Sequence, residues 1–519
     1  MGNNYESITS HDARRIPIIL QSILVGALAG GVVVFYRLIL TRAETYAFGI
    51  YAYVGEHIKF IPILFLALIL AGFLLSYLTQ KNKMIRGSGI PQVKGILMGY
   101  FNQNWWHTLL CKFAGGTVAI LGGLSLGREG PSIQLGASIA EGIGNKTGKS
   151  RMERKILIAS GASAGLAAAF NAPLAGVMFA LEEIFKYFSP IILLSTMGAA
   201  VVADFISKNF FGLEPVFNLE VTGLLGLQEY WLIIVLSIVV GVLGAFYNTV
   251  LIYSQKLYQK MPFLKDHNRI VVPFVCAGLV GLYFPYILGS GHHMFSLLTP
   301  DSGIGFLVVL LILKFLFSMI SFGSGAPGGI FFPLLVLGAT IGAIFAKISI
   351  LYFGLSPALF DNIIILAMAG FFAAIVRAPI TGIVLIMEMT GSLSHMLSLT
   401  IVSMGAFIIA DQLKSLPIYD ALLDNLTTEH QLEDHEEHTK KIIIESIVRH
   451  DSIFENKTVR DVPWPKNCLL VSVKRGEREF IPKGDTIIKV GDYMFILTAI
   501  NNEWQNRKWL DQMNEVKVN

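Results

Sequence analysis

Along most of its length the chain is written in long apolar runs separated by short breaks that contain glycine and proline. Runs at 16–40, 59–79, 231–253, 271–289, 304–323 and 331–352 predict helices, several of them long enough for the ~20 apolar residues that a bilayer crossing needs. The pattern stops near Leu423. LTTEHQLEDHEEHTKK at 426–441 is polar, acidic and histidine-rich, which predicts a linker or a solvated helix. Beyond it the period changes: CLLVSV (468–473), REFIP (478–482) and DYMFILT (492–498) cluster or alternate their apolar residues. RGER and KGD lie between them as turn signals, and Val490-Gly491-Asp492 leads into the last run. The expected organisation is a short N-terminus (1–15), a membrane part (16–425), a linker (426–441) and a small α/β or α+β domain (442–519).

Composition agrees with a chain built for lipid, since 54% of the 519 residues are hydrophobic and only 15% are charged, against roughly 25% charged in soluble domains. The opening MGNNYESITSHDARR lacks the charged, apolar, small order of a cleavable signal, so the first apolar run is expected to stay in the protein. Arg14 and Arg15 precede the first span, and Lys81, Lys83 and Arg86 follow the second. The positive-inside rule then places both ends of that pair, and the C-terminal domain, in the cytoplasm of an inner-membrane protein. A formal net charge of +4 is too small for this length to suggest a nucleic-acid partner. Cys111, Cys276 and Cys468 lie far apart, which supports neither a disulfide framework nor a metal site, and they read as buried small hydrophobes. No Ser/His/Asp set or phosphate loop appears, so an enzyme, a metal and a cofactor are not expected.

The membrane part repeats itself. GREGPSIQLGA (127–137) lies over GIFFPLLVLGA (329–339) at an offset of 202, pairing Gly127 with Gly329 and Pro131 with Pro333. AAAFNAPLAGVMFALEE (167–183) lies over AAIVRAPITGIVLIMEM (373–389) at an offset of 206, pairing Pro173 with Pro379 and Glu182 with Glu388. Duplicated halves are a feature of transporters whose substrate site lies where the repeats meet.

Four segments interrupt the apolar runs: GSGIPQVKG (87–95), GREGP (127–131), GSGAPGGIFFP (323–333) and SLPIYDALL (415–423). Broken helices leave backbone N–H groups unpaired at membrane depth, where they are tolerated only if they line a cavity or bind something. Helix N-termini that converge offer free amides and partial positive charge, which suits an anion. Ser88 and Tyr419 each add a hydroxyl donor. Glu129 is the anomaly, since an ionisable side chain at membrane depth costs about 2.5–3.5 kcal/mol.

GSGIP, GREGP and GGIFFP, in that order and at those separations, resemble the three signature motifs of the CLC chloride channels and chloride/proton antiporters, and the likeness covers about residues 15–425. The resemblance implies an all-α polytopic membrane protein with inverted-topology repeats and broken helices, assembled as a homodimer in lipid with an anion pathway in each subunit. It implies that Ser88 and Tyr419 coordinate chloride through their hydroxyls, with the amides of Ile330 and Phe331. It makes Glu129 a protonatable gate that competes with chloride, and Glu183, the second of the Glu182-Glu183 pair, the inner proton glutamate. Lys112 matches a basic residue near the pathway, with a snorkelling lysine as the alternative. Gln92 and Lys94 depart from the family, standing where several antiporters carry acids. The reading is a chloride/proton antiporter, with a passive chloride channel of the same fold as the alternative.

KNCLLVSVKRGEREFIPKGDTIIKVGDYMFILT (466–498) resembles the RCK C-terminal (TrkA-C) domain of potassium-channel regulators over about 442–515. No Gly-x-Gly-x-x-Gly unit precedes it, so the nucleotide-binding half of such regulators is absent. The resembled domains pair, and some bind the second messenger cyclic di-AMP across the pair. On that resemblance Arg475, Phe480, Ile481 and Pro482 are ligand contacts; a dimerisation module without a ligand is the alternative.

Overall fold

The computed structural model describes residues 3–186, 188–217, 223, 225–261, 268–433, 441–465, 468–476, 478–499 and 503–514. The chain divides into two compact units, Met1–Asp424 and Asn425–Asn519.

Among the described residues the first unit contains two sets of eight α-helices, the last of which runs past Asp424. The first set is α1 (Asn3–Glu56), α2 (Ile61–Lys81), α3 (Ile90–Met98), α4 (Trp105–Leu121), α5 (Glu129–Lys146), α6 (Arg151–Phe170), α7 (Pro173–Phe179) and α8 (Pro190–Phe211). The second is α9 (Tyr230–Lys260), α10 (Val271–Tyr283), α11 (Ile304–Gly323), α12 (Phe331–Phe353), α13 (Phe360–Val376), α14 (Pro379–Thr390), α15 (Met396–Gln412) and α16 (Ile418–Glu433). Seven helical stretches among the described residues are long and apolar enough to cross a membrane. Four of the six expected runs, 59–79, 231–253, 304–323 and 331–352, match helices to within a few residues at most ends. The run at 16–40 is part of a helix that continues to Glu56, and 271–289 is a helix only to Tyr283 followed by a short 3-10 turn. Helices α5 and α6 escaped the hydropathy reading because their inner faces are glycine, alanine and serine. A Cβ on Gly161 would fall on the Gly136 carbonyl, and one on Gly165 on the Ser132 carbonyl, so these helices pack backbone to backbone.

The duplication is visible atom by atom. Glu182 accepts from the N–H groups of Ile380 (3.2 Å) and Thr381 (2.7 Å) at the start of α14. Glu388, its counterpart at offset 206, accepts from Leu174 (3.1 Å) and Ala175 (2.8 Å) at the start of α7. Each glutamate therefore satisfies the free donors of a helix in the other half.

The second unit is an antiparallel sheet in the order β1-β4-β2-β3, with β1 Lys441–Ile447, β2 Cys468–Arg475, β3 Arg478–Phe480 and β4 Tyr493–Ala499, followed by α17 (Glu503–Asn514). Ile444 pairs with Ile496 and Val473 with Met494, with a bulge between Leu470 and Ser472. These side chains pack with Leu510 of α17 in one core. The reading anticipated β2 and β4, extended β3 two residues too far, and missed β1. Residues 434–440 of the expected linker lie outside the described residues, and its start continues α16. The three cysteines are free and half-buried rather than fully buried, which corrects their reading as buried small hydrophobes.

Candidate functional site

The site is assembled by backbone pairing among the three motifs. Gly127 and Gly329 exchange hydrogen bonds, N–H of Gly127 to the Gly329 carbonyl at 2.6 Å and the reverse at 2.7 Å. This antiparallel bridge sets the first turns of α5 and α12 side by side. Gly87 donates to the Gly325 carbonyl (3.2 Å) and accepts from Gly328 (3.0 Å), which ties the first motif to the third. The chain enters α3 through Gly87 and Gly89, with φ of +60° and +98°, a conformation that favours glycine. The second half repeats the turn at Gly289 and Gly291, with φ of +61° and +93°.

Glu129 is the first residue of α5 and its side chain is 0% exposed. Both carboxylate oxygens are buried, take no bond from a side chain, and face the backbone N–H groups of Glu129 itself and Phe332. One of them fills the space that a Cβ on Gly127 would take, 3.2 Å from which lies the Phe332 nitrogen. Arg128 comes no closer than 3.9 Å and is partly exposed, too far for a hydrogen bond. A solvated Arg–Glu surface pair is therefore not what the motif builds.

Ser88 and Tyr419 are both buried with hydroxyls that lack a partner. The Ser88 hydroxyl packs on Gly130, beside Glu129. Ile330 and Phe331 form the entry of α12, where first-turn N–H groups have no intrahelical acceptor. Phe331 and Tyr419 meet the same ring, Phe179, at centroid distances of 6.0 and 6.2 Å. The structure thus brings Ser88, Glu129, Phe331 and Tyr419 to one region. Tyr247, absent from the sequence reading, adds a further buried hydroxyl without a partner; it is one of four tyrosines in α9, and nothing in the apolar pattern sets it apart from the others.

Glu183 lies in a π-helical turn, Ala180–Phe185, that continues α7. It is buried, whereas Glu182 is spent on the α14 cap, so the two adjacent acids have different work. Lys94 of α3 donates to Glu183 at 2.9 Å and also to Asp420. Neither Lys94 nor Asp420 was among the expected site residues. The available signal was the lysine at a position acidic in several antiporters.

Lys112 does not snorkel. It is fully buried and donates to the carbonyls of Ile85 (2.9 Å) and Gly87 (2.7 Å), directly before Ser88. Its ammonium is thus taken up by backbone carbonyls rather than by the membrane interface.

In the second unit, Arg475 grips Asp492 with two bonds of 2.7 Å and donates to the Ile487 carbonyl at 2.7 Å. The Asp492 carboxylate holds the Arg475 proton beyond the usual guanidinium range. Phe480 stacks under the guanidinium at 5.6 Å, Pro482 follows at the end of the strand, and Ile481 is 82% exposed. His450, Asp451 and Glu455 form a group that could hold a cation, but His450 is strongly exposed and pairs with Asp451 at 3.1 Å as an ordinary surface contact.

Two family models match the chain: voltage gated chloride channel over residues 67–411 and the TrkA-C domain over 443–503. The H(+)/Cl(-) exchange transporter ClcA of Vibrio cholerae is 34% identical over 441 residues, covering 82% of this chain and 92% of its own. ClcA of Vibrio vulnificus is 35% identical over 436 residues, covering 80% and 91%. Among solved structures, a slow cyanobacterial Cl-/H+ antiporter superposes with a TM-score of 0.75 at 28% identity, covering 79% of this chain and 98% of its own.

Proposed function

The chain belongs to the voltage gated chloride channel family, a multi-pass membrane family, and from that premise we propose that it exchanges chloride for protons. The observation that carries this reading is Glu129: a fully buried carboxylate at the start of α5, aimed at the backbone N–H of Phe332 in α12 and next to Gly130, on which the Ser88 hydroxyl packs. Ionised, it takes the place an anion would occupy against the peptide donors of α5 and α12. Protonated, it loses its charge and yields that place. Proton and chloride then compete for one position, which is what obligatory exchange requires. Ser88 and Tyr419 hold the central chloride through their hydroxyls, with the amides of Ile330 and Phe331, and Glu183 serves as the inner proton glutamate. Lys112 acts on the anion through the backbone it holds.

The homodimer, the inner-membrane location and cytoplasmic termini belong to the same proposal, resting on the family resemblance and on the lysine and arginine flanks of the first two spans. The C-terminal unit is proposed to bind cyclic di-AMP across a pair of copies and to control flux. Arg475 takes part there as the Asp492-held base of the site, with Phe480, Ile481 and Pro482 as its surface.

Purified protein in liposomes tests the exchange directly. An imposed chloride gradient should drive proton movement, and an imposed proton gradient should drive chloride. Chloride flux without any proton movement would instead make the protein a passive channel.

A further inference from the structure

The proposed proton and chloride sites are joined by a row of four charges. Lys94 Nζ donates to Glu183 at 2.9 Å and to Asp420, and Lys186 Nζ donates to the other Asp420 oxygen at 2.6 Å. The side chains of Lys94 and Glu183 are 0% and 2% exposed, those of Asp420 and Lys186 31% and 42%. The row therefore runs from a partly open end to a closed one. It also joins three parts of the machinery: α3, which Ser88 leads into; the π-helical turn that carries Glu183; and α16, where Asp420 follows Tyr419.

Charge accounting shows what Lys94 does. Two ammonium groups and two carboxylates sum to zero, so the row is neutral while Glu183 is ionised. Burying a lone carboxylate favours its neutral form, and an opposite charge within about 4 Å favours the ionised one. The Lys94 ammonium is the fully buried group that touches Glu183. Among the described residues, Lys186 from its own segment and Asp420 also act on Glu183, and the Tyr419 hydroxyl is a further titratable group coupled to it.

We propose that Lys94 is a positioning residue for the proton step, the counter-charge that holds the Glu183 carboxylate in place and makes it able to release its proton as well as take one up. This rests on the reading of Glu183 as the inner proton glutamate. In the step itself a proton from the side of Asp420 and Lys186 forms an O–H bond on Glu183, and the Lys94–Glu183 ion pair breaks. Lys94 stays an ammonium paired with Asp420, and the row carries one positive charge beside Tyr419. Passing the proton on restores the ion pair and neutrality.

The test is the pH profile of chloride-driven proton transport by the full-length protein in liposomes. In Lys94→Met the carboxylate loses its buried partner, and the midpoint should move to higher pH by roughly one to three units. In Asp420→Asn, Lys94 and Lys186 are left facing Glu183 alone, and the midpoint should move to lower pH. Asp420 is partly exposed, so this variant remains informative if Lys94→Met does not fold. Lys94→Arg should keep the original profile. Unchanged midpoints, or shifts of the same sign in Lys94→Met and Asp420→Asn, overturn the proposal. Glu183→Gln separates the two levels: proton transport that survives it removes the reading of Glu183 itself, whereas its loss together with an unmoved Lys94→Met profile removes only the role of Lys94.

Discussion

Lys112 and Lys314 occupy equivalent places 202 residues apart and make equivalent bonds, Lys112 to the carbonyls of Ile85 and Gly87 and Lys314 to those of Ile287 and Gly289. Both are fully buried. Each ammonium fastens the turn that follows, GSGIP in one half and GSGHH in the other. One half carries Ser88 on this support with its hydroxyl unpartnered, and the other places Ser290 against Glu44.

Replacing either lysine with methionine leaves two buried carbonyls without that donor, at about 1–3 kcal/mol per group. Thermal unfolding in detergent should show comparable losses for Lys112→Met and Lys314→Met. Chloride titration calorimetry should show weaker binding in Lys112→Met alone, because that turn leads into Ser88.

Glu129→Gln keeps the size of the gate and removes its charge. Proton transport in liposomes should cease while chloride flux continues, with both ions followed in the same preparation. Retained coupling would exclude position 129 as the shared site.

Ser88→Ala and Tyr419→Phe each delete one hydroxyl that has no partner in the protein. A hydrogen bond to a charged group contributes about 1.5–3 kcal/mol, so each change should weaken chloride binding by roughly 10- to 100-fold, without a matching loss of thermal stability.

Glu182→Ala and Glu388→Ala should destabilise the membrane unit by similar amounts, on the order of 1–3 kcal/mol, since each frees two first-turn donors of a partner helix. Equal shifts in unfolding temperature would agree with reciprocal capping. A proton-transport defect in Glu182→Ala out of proportion to Glu388→Ala would assign Glu182 a transport role as well.

In the C-terminal unit, Ile481→Ala should lower the affinity of the full-length protein for cyclic di-AMP and leave unfolding unchanged, because the side chain is exposed. Arg475→Ala should affect both, because Asp492 is fully buried and loses its cation. Calorimetry with no heat for the parent protein would leave the domain as a pairing module without this ligand.

The local patterns of the chain determined a good deal. Apolar runs placed the longest spans, since burial in lipid demands continuous hydrophobicity, and Pro/Gly breaks marked where helices restart. The repeated GxxxP and Glu positions exposed the duplication, and the three signature motifs, with the tyrosine of SLPIYDALL, singled out Ser88, Glu129, Ile330, Phe331 and Tyr419 as candidates. Alternation in 468–498 was enough to show a strand-bearing domain.

Only the tertiary structure decided which polar groups meet. Glu182 and Glu183 are neighbours in sequence, yet one caps a helix of the opposite half and the other pairs with Lys94, because a single π-helical turn points them in different directions. Lys94 and Asp420 are 326 residues apart, and Lys112 reads alike whether it reaches water or a carbonyl. Hydropathy reports how much each residue prefers lipid to water; the partner of a buried charge depends on distances between segments, which no local pattern carries.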